Sequence, residues 1–162
     1  SAMVDLNIAN TQTVIDAVVE FRAEIGFIEG QCLDSRISVE PWHKDRLLIF
    51  CHPGHPLAGK VVTPDMLAGH AWVMREPGSG TRDYFINAVN GLGMRPVEKF
   101  SFSTPDAIKQ AVRQGAGLAV LSELTLEKEL QRRELALISV PELTLARQFY
   151  KIHQEDSQSV KH

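Results

Sequence analysis

Residues 71–92 read AWVMREPGSGTRDYFINAVNGL, and this stretch decides the fold. Ala71 to Met74 is a short apolar run of the length of a buried strand. Arg75-Glu76-Pro77-Gly78 interrupts it with turn residues. Ser79-Gly80-Thr81 then offers a helix N-cap, and Phe85, Ala88, Val89 and Leu92 recur at a spacing that lines one helical face. Gly91 and Gly93 end that helix. Strand, polar junction and helix in immediate succession form the repeating unit of an α/β sheet.

The same rhythm extends in both directions. Downstream, Val97 to Phe102 reads as a strand, and Thr104-Pro105 opens a helix with Ile108, Ala111, Val112 and Gly115 on one face. Leu118 to Leu121 is a strand, Glu123 to Arg133 a helix, Leu135 to Val140 a strand, and Arg147 to His153 the last strand. Upstream, Thr63-Pro64 opens a short helix through Leu67. Ile37 to Trp42 and Leu47 to Cys51 are two β-type runs with no helix-length segment between them. Ile25 to Ile28 suits a buried strand. Asn10 caps a helix carrying Val14, Ala17, Val18 and Phe21, and Val4 to Ala9 alternates as a strand does. Strands alternating with helices predict mostly parallel sheets. His52-Pro53-Gly54-His55-Pro56 is the strongest break in the pattern.

Composition narrows the function. The 162 residues allow one domain or two small lobes, and 44% hydrophobic with 23% charged residues is ordinary for a globular chain. Seventeen Lys and Arg stand against twenty Asp and Glu, scattered along the chain, for a net charge of −3. A nucleic-acid-binding face needs a gathered basic excess, so these residues are not expected to bind DNA themselves. Cys32 and Cys51 form no CxxC pair and read as buried thiols of a reducing compartment. No apolar run approaches a membrane span and no signal peptide is visible, while Ser1-Ala2-Met3 reads as a cloning remnant.

The catalytic motifs fail on inspection. Gly54-His55-Pro56-Leu57-Ala58-Gly59-Lys60-Val61 nearly matches a phosphate-binding P-loop. Val61, however, has no hydroxyl for magnesium, and Pro56 removes a backbone donor. His52 and His55 form an HxxH pair beside Cys51, but no second ligand cluster completes a zinc site, and solvated turn histidines are the better reading. There is no GxSxG and no GxGxxG. Glu29, Asp83 and Asp106 sit where capping or packing would place a carboxylate. No metal and no cofactor is expected, and an enzyme ranks below a binding protein.

Three junctions share one property. Asn10-Thr11-Gln12, Ser79-Gly80-Thr81 and Ser103-Thr104 each stand between a strand and a helix. In open parallel sheets, ligands bind beyond the carboxyl ends of the strands, where helix N-termini offer unpaired N–H groups and partial positive charge. Ser and Thr add hydroxyls, and the set suits a small anion. Plain helix capping accounts for the same residues equally well.

The ordered series of segments resembles the effector-binding domain of LysR-type bacterial transcription regulators along nearly the whole chain. The matching stretches are Asn10-Thr11-Gln12, Ile25-Gly26-Phe27-Ile28-Glu29-Gly30, Glu40-Pro41-Trp42 and Leu47-Leu48-Ile49-Phe50 with His55-Pro56-Leu57-Ala58. Arg75-Glu76-Pro77-Gly78-Ser79-Gly80-Thr81-Arg82, Thr104-Pro105-Asp106-Ala107-Ile108-Lys109 and Gly115-Ala116-Gly117-Leu118-Ala119-Val120-Leu121 complete them.

The resemblance implies an α/β fold of two Rossmann-like lobes joined by two crossover strands, like a type II periplasmic binding protein, with the effector in the cleft. Lobe I would be residues 1–46 plus 151–162 and lobe II residues 47–150. Leu47 to Cys51 and Gln148 to Ile152 would be the crossovers. One strand and helix that family members carry before the segment matching Val4 are missing here, which leaves lobe I incomplete and predicts self-association into a homo-oligomer. The implied effector contacts are Asn10, Thr11, Glu29, Gly30, Ser79, Gly80, Thr81, Ser103 and Thr104. The implied effector is a small anion, a carboxylate or inorganic oxyanion, with sulfur species among the candidates. DNA would be reached only through a winged helix-turn-helix that these residues do not include. The implied protein is cytoplasmic, with no membrane contact. A transporter's solute-binding protein, which can share the two-lobe plan, and a small-molecule enzyme are the rival readings.

Overall fold

Strand β3 (Ala71–Arg75) forms because its residues Trp72, Val73 and Met74 are all buried, as in a strand covered on both faces. The computed structural model describes residues 11–29 and 32–155. The expected strand from Val4 to Ala9, together with Asn10 and Gly30, lies outside the described residues. The remaining elements are α1 (Thr11–Val19), β1 (Ile25–Glu29), β2 (Ile37–Cys51), α2 (Pro64–Leu67), α3 (Gly80–Asn90), β4 (Val97–Phe102), α4 (Pro105–Arg113), β5 (Ala119–Ser122), a 3-10 turn (Glu123–Thr125), α5 (Glu127–Gln131), β6 (Ala136–Ile138) and β7 (Ala146–Gln154).

The chain separates into two compact units. One is Ser1–Asp45 with Arg147–His162, and the other is Arg46–Ala146. The polypeptide passes from one to the other at 45/46, inside β2, and returns at 146/147, at the start of β7.

In the first unit, β1 pairs antiparallel with β7, placing Ile28 opposite Tyr150 and Glu29 opposite Phe149. Helix α1 covers this pair. Ile15 and Val18 from the helix pack with Ile28, Ile37 and Ile152 in one buried cluster. Each such side chain contributes about 1.5–3 kcal/mol when fully removed from water.

In the second unit, β3 and β4 run parallel, from Ala71 opposite Val97 to Arg75 opposite Phe102. A parallel bridge joins Trp72 to Leu118, so the segment entering β5 runs in the same direction. Gly117 adopts φ +154°, and a Cβ there would collide with the backbone oxygen of Ala71. Only glycine permits that approach of β5 to β3. One core gathers Trp72, Met74, Phe85 and Val89 with Leu47 and Ile49. A second, under α4, gathers Val73, Ile108, Val112, Leu121 and Leu126.

Three expectations need correction. Parallel pairing is not general among the described strands: β1–β7, β2–β5 and β2–β6 are antiparallel. The two runs Ile37–Trp42 and Leu47–Cys51 are one strand of 15 residues, β2. Its middle is exposed, which is where a strand tolerates Pro41. The helix expected from Glu123 to Arg133 is broken. The Thr125 carbonyl accepts from Lys109 Nζ at 2.8 Å, the Thr125 hydroxyl donates to the Ser122 carbonyl at 2.8 Å, and the chain restarts as α5 after Leu126 anchors in the core.

Candidate functional site: helix N-termini and a buried arginine

The parallel pairing of β4, β3 and the start of β5 brings three strand ends to one edge of the second unit. Each is followed by a helical turn capped by a hydroxyl. Ser79 Oγ accepts from the Arg82 amide at 3.3 Å at the start of α3. Thr104 Oγ1 accepts from the Ala107 amide at 3.1 Å at the start of α4. Ser122 Oγ accepts from the Leu124 amide at 3.2 Å at the 3-10 turn. A hydroxyl that accepts through its oxygen keeps its O–H proton to donate. Ser79 and Thr104 therefore leave donors at the ends of α3 and α4, which already favour negative charge.

The loop before Ser79 is held in place from both sides. Gly78 turns it at φ +95°, a conformation natural to glycine. The Glu76 amide donates to the Phe102 carbonyl at 3.0 Å, tying the α3 junction to the end of β4. Arg82 Nη1 donates to the Arg75 carbonyl at 2.9 Å, and its two terminal nitrogens meet both Glu98 oxygens at 2.6 and 2.8 Å. That hydrogen bond holds the Glu98 carboxyl below its ordinary range. Burial would raise Glu76, but the Arg75 guanidinium at 2.9 Å and its own backbone outweigh it and lower its pKa. Each arginine near this edge thus faces a carboxylate, and an anion here would meet amides and hydroxyls.

The first unit contributes a different junction. The Thr11 hydroxyl donates to the Glu29 carbonyl at 3.1 Å, joining the first turn of α1 to the end of β1. The Glu29 carboxylate faces Arg147 Nη1 at 3.3 Å. Arg147 also reaches Asp45 Oδ2 through Nε at 3.3 Å and Nη2 at 3.2 Å, and it lies 4.8 Å above the Phe149 ring. Burial raises the Glu29 pKa above its ordinary value against the pull of Arg147.

Of the residues expected from sequence, Ser79, Gly80, Thr81, Ser103 and Thr104 share the second unit's strand-end edge. Ser79 and Thr81 are buried, while Ser103 and Thr104 are exposed. Thr11 and Glu29 meet in the first unit. Sequence reasoning missed Ser122, Arg82, Asp45 and Arg147. Ser122 was legible as a hydroxyl residue ending a strand before Glu123. Arg147 was legible as a charge two residues before Phe149 in an alternating strand, hence on its face.

His52 and His55 have turn roles. The Nδ1 atom of each accepts a backbone amide, from Gly54 at 2.8 Å and from Leu57 at 3.0 Å. Among the described residues, no three His, Cys, Asp or Glu side chains are placed to hold a metal ion, and no helix is long and apolar enough to cross a membrane.

Comparison with known proteins gives concordant results. The family model of the LysR substrate binding domain matches residues 2–161. The HTH-type transcriptional regulator YeiE of Escherichia coli K12 is 40% identical over 154 residues, covering 93% of this chain and 51% of that protein. The HTH-type transcriptional regulator CysL of Bacillus subtilis 168 is 37% identical over 158 residues, covering 97% of this chain and 53% of that protein. The chain therefore spans about half the length of these relatives. The regulatory domain of CcmR from Synechocystis PCC6803, solved in complex with 2-PG, superposes with a TM-score of 0.77 at 26% identity, covering 92% of this chain and 72% of that one. The effector-binding domain of QuiR, in complex with shikimate, shares the fold with a TM-score of 0.73 at 15% identity.

Proposed function

Since this chain belongs to the LysR substrate binding domain family, we propose that it is the ligand-sensing part of a DNA-binding transcription regulator, that it is not an enzyme, and that its effector is a small anion. The observation that carries the anion reading is the second unit's strand-end edge. There Ser79 and Thr104 accept helix amides through oxygen and keep their hydroxyl protons. Thr81 in the first turn of α3 and Ser103 before Thr104 complete the polar rim. In the first unit the Thr11 hydroxyl is already spent on the Glu29 carbonyl, so Thr11 supplies no donor to the anion.

The ligand class is a carboxylate or inorganic oxyanion, with sulfite and sulfate the first sulfur species to test. A regulator of this kind couples ligand to DNA only if two arrangements of the protein differ in ligand affinity. DNA contact belongs to a helix-turn-helix elsewhere in the whole protein, as the names of the relatives suggest. The whole protein would act in the cytoplasm as a homo-oligomer.

A thermal-shift panel of sulfite, sulfate, inorganic phosphate, acetate and 2-PG tests this reading. An anion at a hundredfold excess over its dissociation constant is expected to add about 2.7 kcal/mol of stability. A shift for none of them, or catalytic turnover of the one that binds, would contradict it.

A further inference from the structure

Strand β6 parts from β2 early, and a cavity opens where it does. The two strands pair antiparallel from Cys51 opposite Ala136 to Ile49 opposite Ile138. At Ser139 the chain turns to another neighbour. The Ser139 amide donates to the Lys60 carbonyl at 2.9 Å, and the Val62 amide donates to the Ser139 carbonyl at 2.8 Å. A turn follows, with the Leu143 amide on the Val140 carbonyl at 2.9 Å. The chain meets β2 again at Leu145, whose carbonyl accepts from the Leu47 amide at 2.8 Å. Between these two fastenings lies a cavity of about 290 Å³, walled by the second unit alone.

The lining has two parts. Leu47, Ile49, Ile138 and Val140 are buried members of the apolar core. Arg46, Ser139 and Thr144 are exposed and polar. An apolar wall holds water poorly, because an ordered water needs about two to four polar partners. It suits a hydrocarbon body instead. Arg46 supplies what the polar end of such a ligand needs. Its Nε donates to Glu123 Oε2 at 2.8 Å, while Nη1 and Nη2 have no partner among the described residues. Those two nitrogens form the fork that matches a carboxylate. The walls are held in advance of any ligand. The Leu47–Leu145 bond joins two of them, and the Tyr84 hydroxyl fixes a third by donating to the Ala146 carbonyl.

We infer that this cavity is a second ligand site and that it takes a small aliphatic carboxylate. The carbon chain lies against Leu47, Ile49, Ile138 and Val140, and the carboxylate meets the terminal nitrogens of Arg46. The volume is at the lower end of the range of ligand pockets, about 300–1,000 Å³, which limits the guest to a short chain. None of the described residues lining it belongs to the strand-end edge, so this site stands independently of the anion-sensor reading. Arg46 and Ala146 are the residues at which the chain enters and leaves the second unit, so a guest here touches both crossings.

Titration of hexanoate into this chain, followed in methyl NMR spectra, tests the inference. Acetate carries the head alone and hexanol the body alone. Hexanoate is expected to shift the methyl signals of Leu47, Ile49 and Ile138 and to bind about tenfold tighter than either, because it gains from buried methylenes and from charge-assisted hydrogen bonds together. Arg46→Gln removes the charge at an exposed position, and is expected to weaken hexanoate about tenfold and to leave hexanol within about twofold. Thr104→Val is expected to leave hexanoate unchanged at these methyls. Melting is recorded for each variant, and the comparison of hexanoate with hexanol carries the test if Arg46→Gln does not fold. No shift at these methyls overturns the inference. So does hexanol that binds as tightly as hexanoate, or Arg46→Gln that binds hexanoate as tightly as the parent. Loss of the hexanoate shifts in Thr104→Val also overturns it, since the carboxylate would then belong to the strand-end edge.

Discussion

The first unit's junction and the second unit's strand-end edge use the same residue types with opposite hydrogen-bond polarity. At Ser79 and Thr104 the hydroxyl oxygen accepts a helix amide, so the proton remains to donate outward. At Thr11 the hydroxyl donates to the Glu29 carbonyl, and its proton is spent. The nearby charges differ as well. Arg82 in the second unit is satisfied by a bidentate pair with Glu98, one half-buried cation to one carboxylate. Arg147 is buried between two. A threonine at a helix start is thus an ambiguous sign until its proton is traced, and a charge pair matters most where it is buried.

The largest expected effect breaks the buried cluster. Arg147→Met leaves Asp45 without its cation in the interior and is expected to cost about 3–5 kcal/mol in urea unfolding. Glu98→Gln breaks the corresponding pair of the second unit, where Glu98 is 35% exposed, and is expected to cost under about 1 kcal/mol. Equal costs would erase the distinction between the two charge arrangements.

A smaller change separates the hydroxyls. Thr104→Val removes an N-cap and is expected to cost about 1 kcal/mol of stability. Thr11→Val removes a single part-buried hydrogen bond, with an expected cost of about 0.5–1.5 kcal/mol. Stability alone does not tell them apart; binding does.

The smallest effect is a pH signature. Glu29 has a raised pKa in the folded state, so the folded chain holds its proton more tightly than the unfolded chain does. Its contribution to stability therefore declines as pH rises from its ordinary value of 4.5 through the raised one. Glu98 and Glu76 have lowered values and act in the opposite sense, losing their contribution as pH falls below the same ordinary value. Glu29→Gln is expected to remove only the first slope, in melting curves collected from acid to neutral pH. An unchanged profile would mean that Glu29 is not held against its charge.

What the sequence disclosed follows the range of the forces involved. Strand β4 spans Val97–Phe102 as expected, and α4 begins at Pro105 after its Thr104 cap, because cap chemistry and the i, i+3, i+4 spacing of Ile108, Ala111 and Val112 are local. The break before α5 was hidden, since it depends on Lys109, sixteen residues away, taking the Thr125 carbonyl. The continuity of β2 was hidden by Pro41 and the charged run through Arg46, which an exposed strand middle tolerates. Among the site residues, the hydroxyl caps were visible as residue types, but the direction of the Thr11 bond depends on Glu29, eighteen positions along the chain. The Arg147–Asp45 pair joins residues 102 positions apart, and only the fold brings them together.

The most direct test of an anion site built from outward-pointing hydroxyls is a paired titration of sulfate into Thr104→Val and Thr11→Val, by calorimetry on protein shown to be folded. Thr104→Val is expected to weaken binding about tenfold, the loss of one hydrogen bond to a charged group of about 1.5 kcal/mol. Thr11→Val is expected to bind within about twofold of the parent, because its proton serves the Glu29 carbonyl. Thr104→Val that melts earlier yet binds sulfate as tightly as the parent would make Thr104 a helix cap alone, and would contradict the site.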